Sequence, residues 1–333
     1  MHLRRLLKYH IFVLVILAFN VHVKAQDPQF SQYYASPLYL APSFSGATKG
    51  SRIVVNYRNQ WPSVPGVFET YAVSFDHYFN KFHSGIGMFL MRDRSGTGNL
   101  GTLNGGLQYS YNVKLNKYWN FRPGAHVYYT QRSVDVNKLT LPDQVVTEGG
   151  ASTSITPSER AMALDASTSI LFHTRNHWIG LTVDHLTRPN QSLYGDKSII
   201  PIKYSFFGGT RFFRGGRLLR LVKESISLSY NFKVQGDIYQ LDLGGYWYKD
   251  PVMFGLWYRG IPLVNDYTAR DALVVMIGYK ISNMSIGYSF DMTISRLLLN
   301  TGGSHELSLI YKFNQDWEKF KRPSQRAIPC PTF

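Results

Sequence analysis

Six residues match a dinucleotide-binding glycine pattern letter for letter: Gly96-Thr97-Gly98-Asn99-Leu100-Gly101. That chemistry needs a strand before the glycines and a helix amino terminus behind them, so that helix amides meet pyrophosphate. Residues 104–115 behind them alternate as a strand does, so the glycines are read as an outer loop in which they permit the turn. His173 and His177 have the spacing of a helical metal pair, but Arg175 and Asn176 between them predict the tip of a hairpin. Asp165, Ser167 and Ser169 share one side of a predicted strand with His173, the constituents of a Ser-His-acid hydrolase acting in a membrane. Serine alternation lines a wet interior equally well, and spacing alone gives no cross-strand geometry. No catalytic, cofactor or metal site is assigned, and no enzyme activity is expected.

The elements that must position these side chains are strands. Ile226, Leu228, Tyr230 and Phe232 alternate with Ser227, Ser229 and Asn231; Leu107, Tyr109 and Tyr111 alternate with Gln108, Ser110 and Asn112. The same rhythm predicts fourteen strands, near 52–59, 68–79, 84–91, 103–115, 119–131, 162–173, 177–187, 202–212, 224–233, 237–248, 252–259, 271–280, 283–291 and 304–313. Short links alternate with long ones at 92–102, 131–161, 188–201, 260–270 and 293–303, as in an up-and-down membrane barrel. Links 213–223 and 234–236 break that rule, which points to a strand boundary misplaced there. The rival fold is a soluble sandwich or propeller, whose outer face would carry many charges. Here the polar face is mostly Ser, Asn, Gln and Gly, and the apolar face must then meet lipid, with Tyr118, Trp119, Trp178, Tyr246, Trp247, Tyr248 and Trp257 as interfacial girdles. Lumen acids Asp76, Asp165, Asp242, Asp291 and Glu306 are expected to pair with Lys114, Lys233, Lys280 and Lys312 in a stiffening lattice.

Composition agrees. Of 333 residues only 17% are charged while 15% are aromatic, too apolar for a disordered chain. The one long charge-free apolar run, 11–21, is about half of what a helix needs to cross a bilayer, which excludes a polytopic helical protein. Arg4, Arg5 and Lys8 precede that run and Val23-Lys24-Ala25 ends it, so 1–25 is read as a signal peptide and not as an uncleaved anchor. The net charge of +15 recurs singly along the chain, and with export it argues against nucleic acid as a partner. A single Cys, Cys330, allows no internal disulfide. The organisation expected is signal peptide 1–25, N-terminal periplasmic or plug-like segment 26–50, transmembrane barrel 51–313 and basic periplasmic tail 314–333, in the outer membrane with both ends periplasmic.

Several blocks together resemble a known family. Gln26-Asp27-Pro28-Gln29-Phe30-Ser31-Gln32-Tyr33, Pro37-Leu38-Tyr39-Leu40-Ala41-Pro42 with Gly46, Tyr57-Arg58-Asn59-Gln60-Trp61, Gly180 through Leu186 to Pro189-Asn190, and Ser289-Phe290-Asp291 leading to Gly303-Ser304-His305-Glu306-Leu307 resemble the PorP/SprF outer-membrane proteins of type IX secretion and gliding motility. The ending, Arg326-Ala327-Ile328-Pro329-Cys330-Pro331, resembles the gliding-associated, SprF-like branch; Ala41 stands where the family has Asn. The resemblance implies a fourteen-stranded barrel without enzymatic activity, paired with a secreted surface adhesin through the adhesin's C-terminal domain and with other type IX or periplasmic components. Fourteen strands are too few to pass a folded adhesin, so an anchor is expected, with a porin-like channel for small solutes as the alternative. The candidate contact residues are Phe30, Tyr33, Tyr34, Pro37, Leu38 and Tyr39, whose aromatic, Pro-containing segment offers anchors, and the tail cations Lys319, Lys321, Arg322 and Arg326. Outer-membrane lipid is the remaining partner.

Overall fold

Period-two alternation gives every strand one oily and one small or polar face, and such a sheet can rest in lipid only when it has no open edge. The structure, a computed structural model, describes residues 27–48, 50–135, 160–213, 224–260, 270–294 and 301–313. In them fourteen antiparallel strands close into a barrel. They are β1 (Ser51–Gln60), β2 (Val67–Phe79), β3 (Ser84–Gly96), β4 (Leu100–Tyr111, resumed at Val113–Lys114 after a break at Asn112), β5 (Asn120–Ser133), β6 (Arg160–His173) and β7 (His177–Asp184). The rest are β8 (Lys203–Phe213), β9 (Glu224–Gln235), β10 (Ile238–Lys249), β11 (Val252–Gly260), β12 (Arg270–Ile281), β13 (Met284–Thr293) and β14 (Ser304–Phe313). Each strand pairs with its neighbour in sequence, and β14 returns to β1 from Ser51↔Phe313 to Gln60↔Ser304, so the ladder has no first or last strand.

The predicted strands correspond one to one with these, and the differences have local causes. β3 and β4 run on through what reads as a long loop at 92–102, and the turn falls at 97–99, where Gly96 and Asn99 adopt positive φ. The dinucleotide-type glycines are thus a hairpin turn with no helix behind them. β7 stops at Asp184, short of its predicted end, because His185 takes φ 61° and leaves the ladder. β9 and β10 are joined tightly, with Gln235 opposite Ile238, so the irregular link at 234–236 is a real feature and not a misplaced boundary.

One rim, the turn rim, carries the turns after β2, β4, β6, β10 and β12 together with Ser51 and Phe313; the opposite one, the loop rim, carries the connections after β1, β3, β5, β7, β9, β11 and β13. Outward side chains such as Met88, Leu107, Leu228 and Leu256 are more than half exposed, as a lipid-facing wall requires.

Four expected girdle residues face inward instead, Tyr248 half-buried against the apolar cluster that contains Val54, Met253 and Val274. Trp178, Tyr246 and Trp257 are buried, because each falls on the inward parity of its strand. The lumen is therefore not a uniformly wet channel. Val54, Met253, Val274, Met276 and Ile310 form one inward apolar cluster, Leu171, Trp178 and Phe207 a second, and Ala72, Phe89 and Met91 a third.

The segment before β1 runs inside the barrel and covers all three. Tyr34 and Ala35 join the first cluster, Ala41, Phe44 and Ala47 the second, Phe30 and Leu38 the third. Its only regular structure is short, one α-turn (Pro37–Leu40) between 3-10 turns Tyr33–Ala35 and Pro42–Phe44, each proline standing at a helix start where its missing N–H costs nothing. Asp27 contacts Lys203 and Gln235 at the loop rim, while Gly46 contacts Asp76 toward the turn rim. The described chain thus begins at one rim and ends, at Phe313, on the other. The charges near the loop rim hold the segment's start there, and the chain's two ends themselves lie outside the described residues.

The close approach of segment to wall depends on glycine at position 124, where an added Cβ would lie 2.3 Å from the Ser43 nitrogen and 2.6 Å from the Pro42 carbonyl carbon. Gly124→Ala should cost about 1–3 kcal/mol of stability. Gly105→Ala, whose Cβ would meet only the movable tip of Leu90, should be near neutral. Urea midpoints of the two variants in detergent check the contrast.

Candidate functional site, the plugged lumen

The lumen wall carries charged side chains that a closed barrel removes from water, and each needs a partner there. Glu306 is fully buried; its two oxygens accept hydrogen bonds from the backbone amides of Ser31 (2.7 Å) and Gln32 (3.1 Å). Ser31 Oγ donates to Asp291 at 2.6 Å and accepts from Arg58 at 2.8 Å and Arg259 at 2.6 Å. Arg58 and Arg259 also meet Asp291 directly, at 2.8 Å and 3.1 Å. Asp242 pairs with Lys233 at 3.2 Å and accepts the hydroxyl proton of Tyr33. Wall residues from β1, β9, β10, β11, β13 and β14 thus converge on three consecutive residues of the inner segment, 31–33.

A second group sits nearer the turn rim. Arg52 Nε pairs with Asp76 at 2.8 Å, and the other oxygen of Asp76 accepts the Gly46 amide at 2.8 Å. Ser45 O accepts from Ser110 Oγ at 2.8 Å and from the buried guanidinium of Arg122. Between the groups, Gln108 donates to Leu38 O, Thr182 to Leu40 O, and the Ser43 amide donates to Ser169 Oγ.

The third group is at the loop rim. Asp27 Oδ2 faces Lys203 Nζ at 2.7 Å and His185 Nε2 at 2.9 Å, while His185 Nδ1 faces Asp165 at 2.7 Å. A neutral imidazole can donate from one nitrogen only, so two carboxylates on its two nitrogens select the doubly protonated form. Burial opposes that charge, but Asp27 and the hydrogen bonds that His185 donates to both carboxylates outweigh it and raise His185 from its ordinary 6.5 to about 9. Burial would likewise raise Asp27, yet the Lys203 ammonium and the His185 imidazolium hold its carboxyl far below the ordinary range. Tyr128 and Thr187 complete the shell of Asp165, at 2.7 Å and 2.8 Å.

The sequence-predicted residues fall into place unevenly. All five lumen acids are buried inside the wall, but their partners are mainly Arg52, Arg58, Arg259 and His185, with Lys233 the expected lysine among them. Of the candidate contact residues, Phe30, Tyr34, Pro37 and Leu38 are buried within the barrel, and Tyr33 and Tyr39 are half-buried there. Tyr33 packs on Trp257 at 5.0 Å between ring centres, Tyr34 on Tyr246 at 5.5 Å, and Tyr39 on Phe89 at 5.9 Å. Lys319, Lys321, Arg322, Arg326, Cys330 and the signal peptide 1–25 lie outside the described residues. Ser167 and His173 do not meet: six residues along one strand separate them by about 20 Å, and the histidine on Asp165 is His185. Periodicity gave no sign of His185, which stands just past a strand end; only its membership of the Gly180–Asn190 block marked it. Two of the voids beside the segment measure about 60 and 50 Å³, room for about two waters each. Among the described residues no group of acids, His and Cys could hold a metal ion.

A closed wall with an apolar outside and charged inside defines an outer-membrane β-barrel. One solved structure shares that fold at low identity, and two more are similar at lower scores. The Ralstonia pickettii toluene transporter TbuX is 10% identical with a TM-score of 0.50, over 84% of this chain and 94% of its own. The Acinetobacter baumannii outer membrane protein Omp33 is 8% identical at TM-score 0.45, over 81% and 100%. A Pseudomonas aeruginosa FadL homologue is 13% identical at 0.39, over 79% and 90%. No curated protein matches the chain. Residues 22–311 match the family of type IX secretion system membrane proteins PorP/SprF, and the chain belongs to that family.

The loop-rim group makes stability depend on pH with a defined sign. A histidine raised from 6.5 to about 9 stabilises fully below 6.5 and loses that contribution as pH rises through about 9. The depressed Asp27 stabilises above its ordinary 3.8 and loses its contribution only far below it. The urea midpoint should therefore fall progressively between about pH 6.5 and 9 and level off above that. In His185→Gln it should be lower at neutrality and lack the alkaline fall.

Proposed function

We propose that this barrel docks the C-terminal domain of a large secreted adhesin and supports its export or retention at the cell surface, on the pattern of the SprF-like branch. Membership of a type IX secretion family supports a role in secretion. The observation that carries docking over conduction is the lumen occupied by residues 27–48 from rim to rim, with voids of about 60, 50 and 20 Å³ beside them. A barrel filled by three apolar clusters and three charged groups offers a rigid platform, and a rigid surface loses less entropy when it binds. The turn rim is placed in the periplasm by the usual rule that outer-membrane barrels have short periplasmic turns, which sets the start of the segment toward the cell exterior. In this reading Phe30, Tyr33, Tyr34, Pro37, Leu38 and Tyr39 serve docking by holding the barrel filled. The tail cations Lys319, Lys321, Arg322 and Arg326 contact a periplasmic or secretion component.

Affinity purification from native membranes should recover an adhesin through its C-terminal domain, and planar bilayers holding the purified barrel should show no steady current. Loss of the gene should strip that adhesin from the cell surface. Steady open channels without any co-purifying adhesin would establish the porin-like alternative.

A further inference from the structure

The two rims differ in charge. At the turn rim Lys81, Lys114, Lys117, Arg175 and Lys249 are exposed and Lys280 is half-buried. Among the described residues none of the five exposed cations is taken up by an ion pair. The acids at this rim, Glu224 opposite Lys249 in the ladder and Asp250 beside it, accept hydrogen bonds from Trp247 and Tyr248. At the loop rim, by contrast, Arg92, Arg94, Arg160, Arg188 and Lys197 are interspersed with Glu69, Asp93, Asp135, Asp196 and Asp237.

The turn-rim cations also lean on outward rings. Lys81 Nζ lies 5.8 Å from the centre of Phe82, Lys117 Nζ 5.7 Å from Tyr118, and the Arg175 guanidinium 5.6 Å from Phe213. Phe82 and Tyr118 are 62% and 69% exposed. In the lumen two such contacts, Lys203 with Tyr39 and Lys233 with Tyr33, are made to the inner segment, and a third, Arg122 with Tyr78, joins two wall strands. An exposed aromatic ring on a barrel's outer wall marks the depth where hydrocarbon gives way to headgroups, and a cation beside it reaches the phosphates.

We propose that the turn rim is a binding surface for the phosphates of anionic glycerophospholipids in the leaflet it meets. The placement favours lipid over an acidic protein. The cations follow the turns after β2, β4, β6, β10 and β12, spread around the circumference as a lipid annulus is, and their ring contacts point sideways into the bilayer. Lysines and arginines held at this depth gain from each anionic headgroup beside them. The surface thereby fixes the depth of the barrel, independently of what docks on it.

The test uses the full mature chain in detergent and native mass spectrometry with added phosphatidylglycerol or phosphatidylcholine. The quadruple variant Lys81→Gln/Lys117→Gln/Arg175→Gln/Lys249→Gln is compared with the loop-rim control Arg94→Gln/Lys197→Gln, and a heat-dependent gel shift shows that each barrel is folded. The wild type and the control should retain phosphatidylglycerol over phosphatidylcholine by at least about tenfold, and the quadruple variant should lose that preference. Absence of a preference in the wild type, its survival in the folded quadruple variant, or its equal loss in the control would overturn the proposal. So would binding confined to lipid A phosphates, or an acidic protein that needs these cations while no lipid preference exists.

Discussion

Burying charge inside a closed wall is the constraint on which the rest of this molecule depends. Arg52, Arg58, Arg122, Arg259, Asp76, Asp165, Asp242, Asp291 and Glu306 all sit within the barrel almost out of reach of solvent. Ions taken from water cost several kcal/mol each unless partners of good geometry replace the water. Paired with one another they leave lone pairs and N–H groups over, and the inner segment supplies the complements: amides of Ser31, Gln32 and Gly46, the hydroxyl of Ser31, the carbonyl of Ser45. The segment is part of how the wall satisfies its own charges.

The same segment answers a second demand. An interior with Trp178, Tyr246, Trp257 and the methionines 253 and 276 turned inward would expose oily surface to a water column, and the apolar residues of 30–47 cover it. Polar anchoring at three levels and apolar packing between them act on one stretch of chain, so the barrel is filled by a jigsaw fit and not merely obstructed. The outer wall is left to lipid and the turn rim to headgroups, while the loop rim carries the start of the segment.

Much of the architecture is legible from side-chain alternation because a barrel wall has only two environments, and residues such as Ile226–Phe232 declare which face is which. Strand ends are less legible: β3 and β4 outrun their predicted limits because Thr102 and Arg94 lack the apolar partner that marks a membrane strand, while backbone pairing above the bilayer needs none. The site was half legible. Parity identified Asp76, Asp165, Asp242, Asp291 and Glu306 as inward, yet it could not say that arginines would meet them, since pairing runs across strands whose register the sequence does not print. The aromatic run at 30–39 is conspicuous, but nothing in it tells a surface anchor from a core, because the same rings serve either. Trp178 and Trp257 misled for the same reason: a tryptophan near a strand end belongs to a girdle only if its parity is outward.

A barrel locked shut by its own leading segment is a different object from a pore with a loose strap, and the two assign opposite meanings to the family's secretion role. The distinction turns on whether positions inside the segment ever meet solvent. Placing a single cysteine at Ala35, which is wholly enclosed, in a Cys330→Ala background allows its reaction with a bulky water-soluble maleimide to be timed in the folded and unfolded barrel. The account predicts protection while the barrel is folded and rapid labelling once it is unfolded. Equal rates in the two states would contradict it.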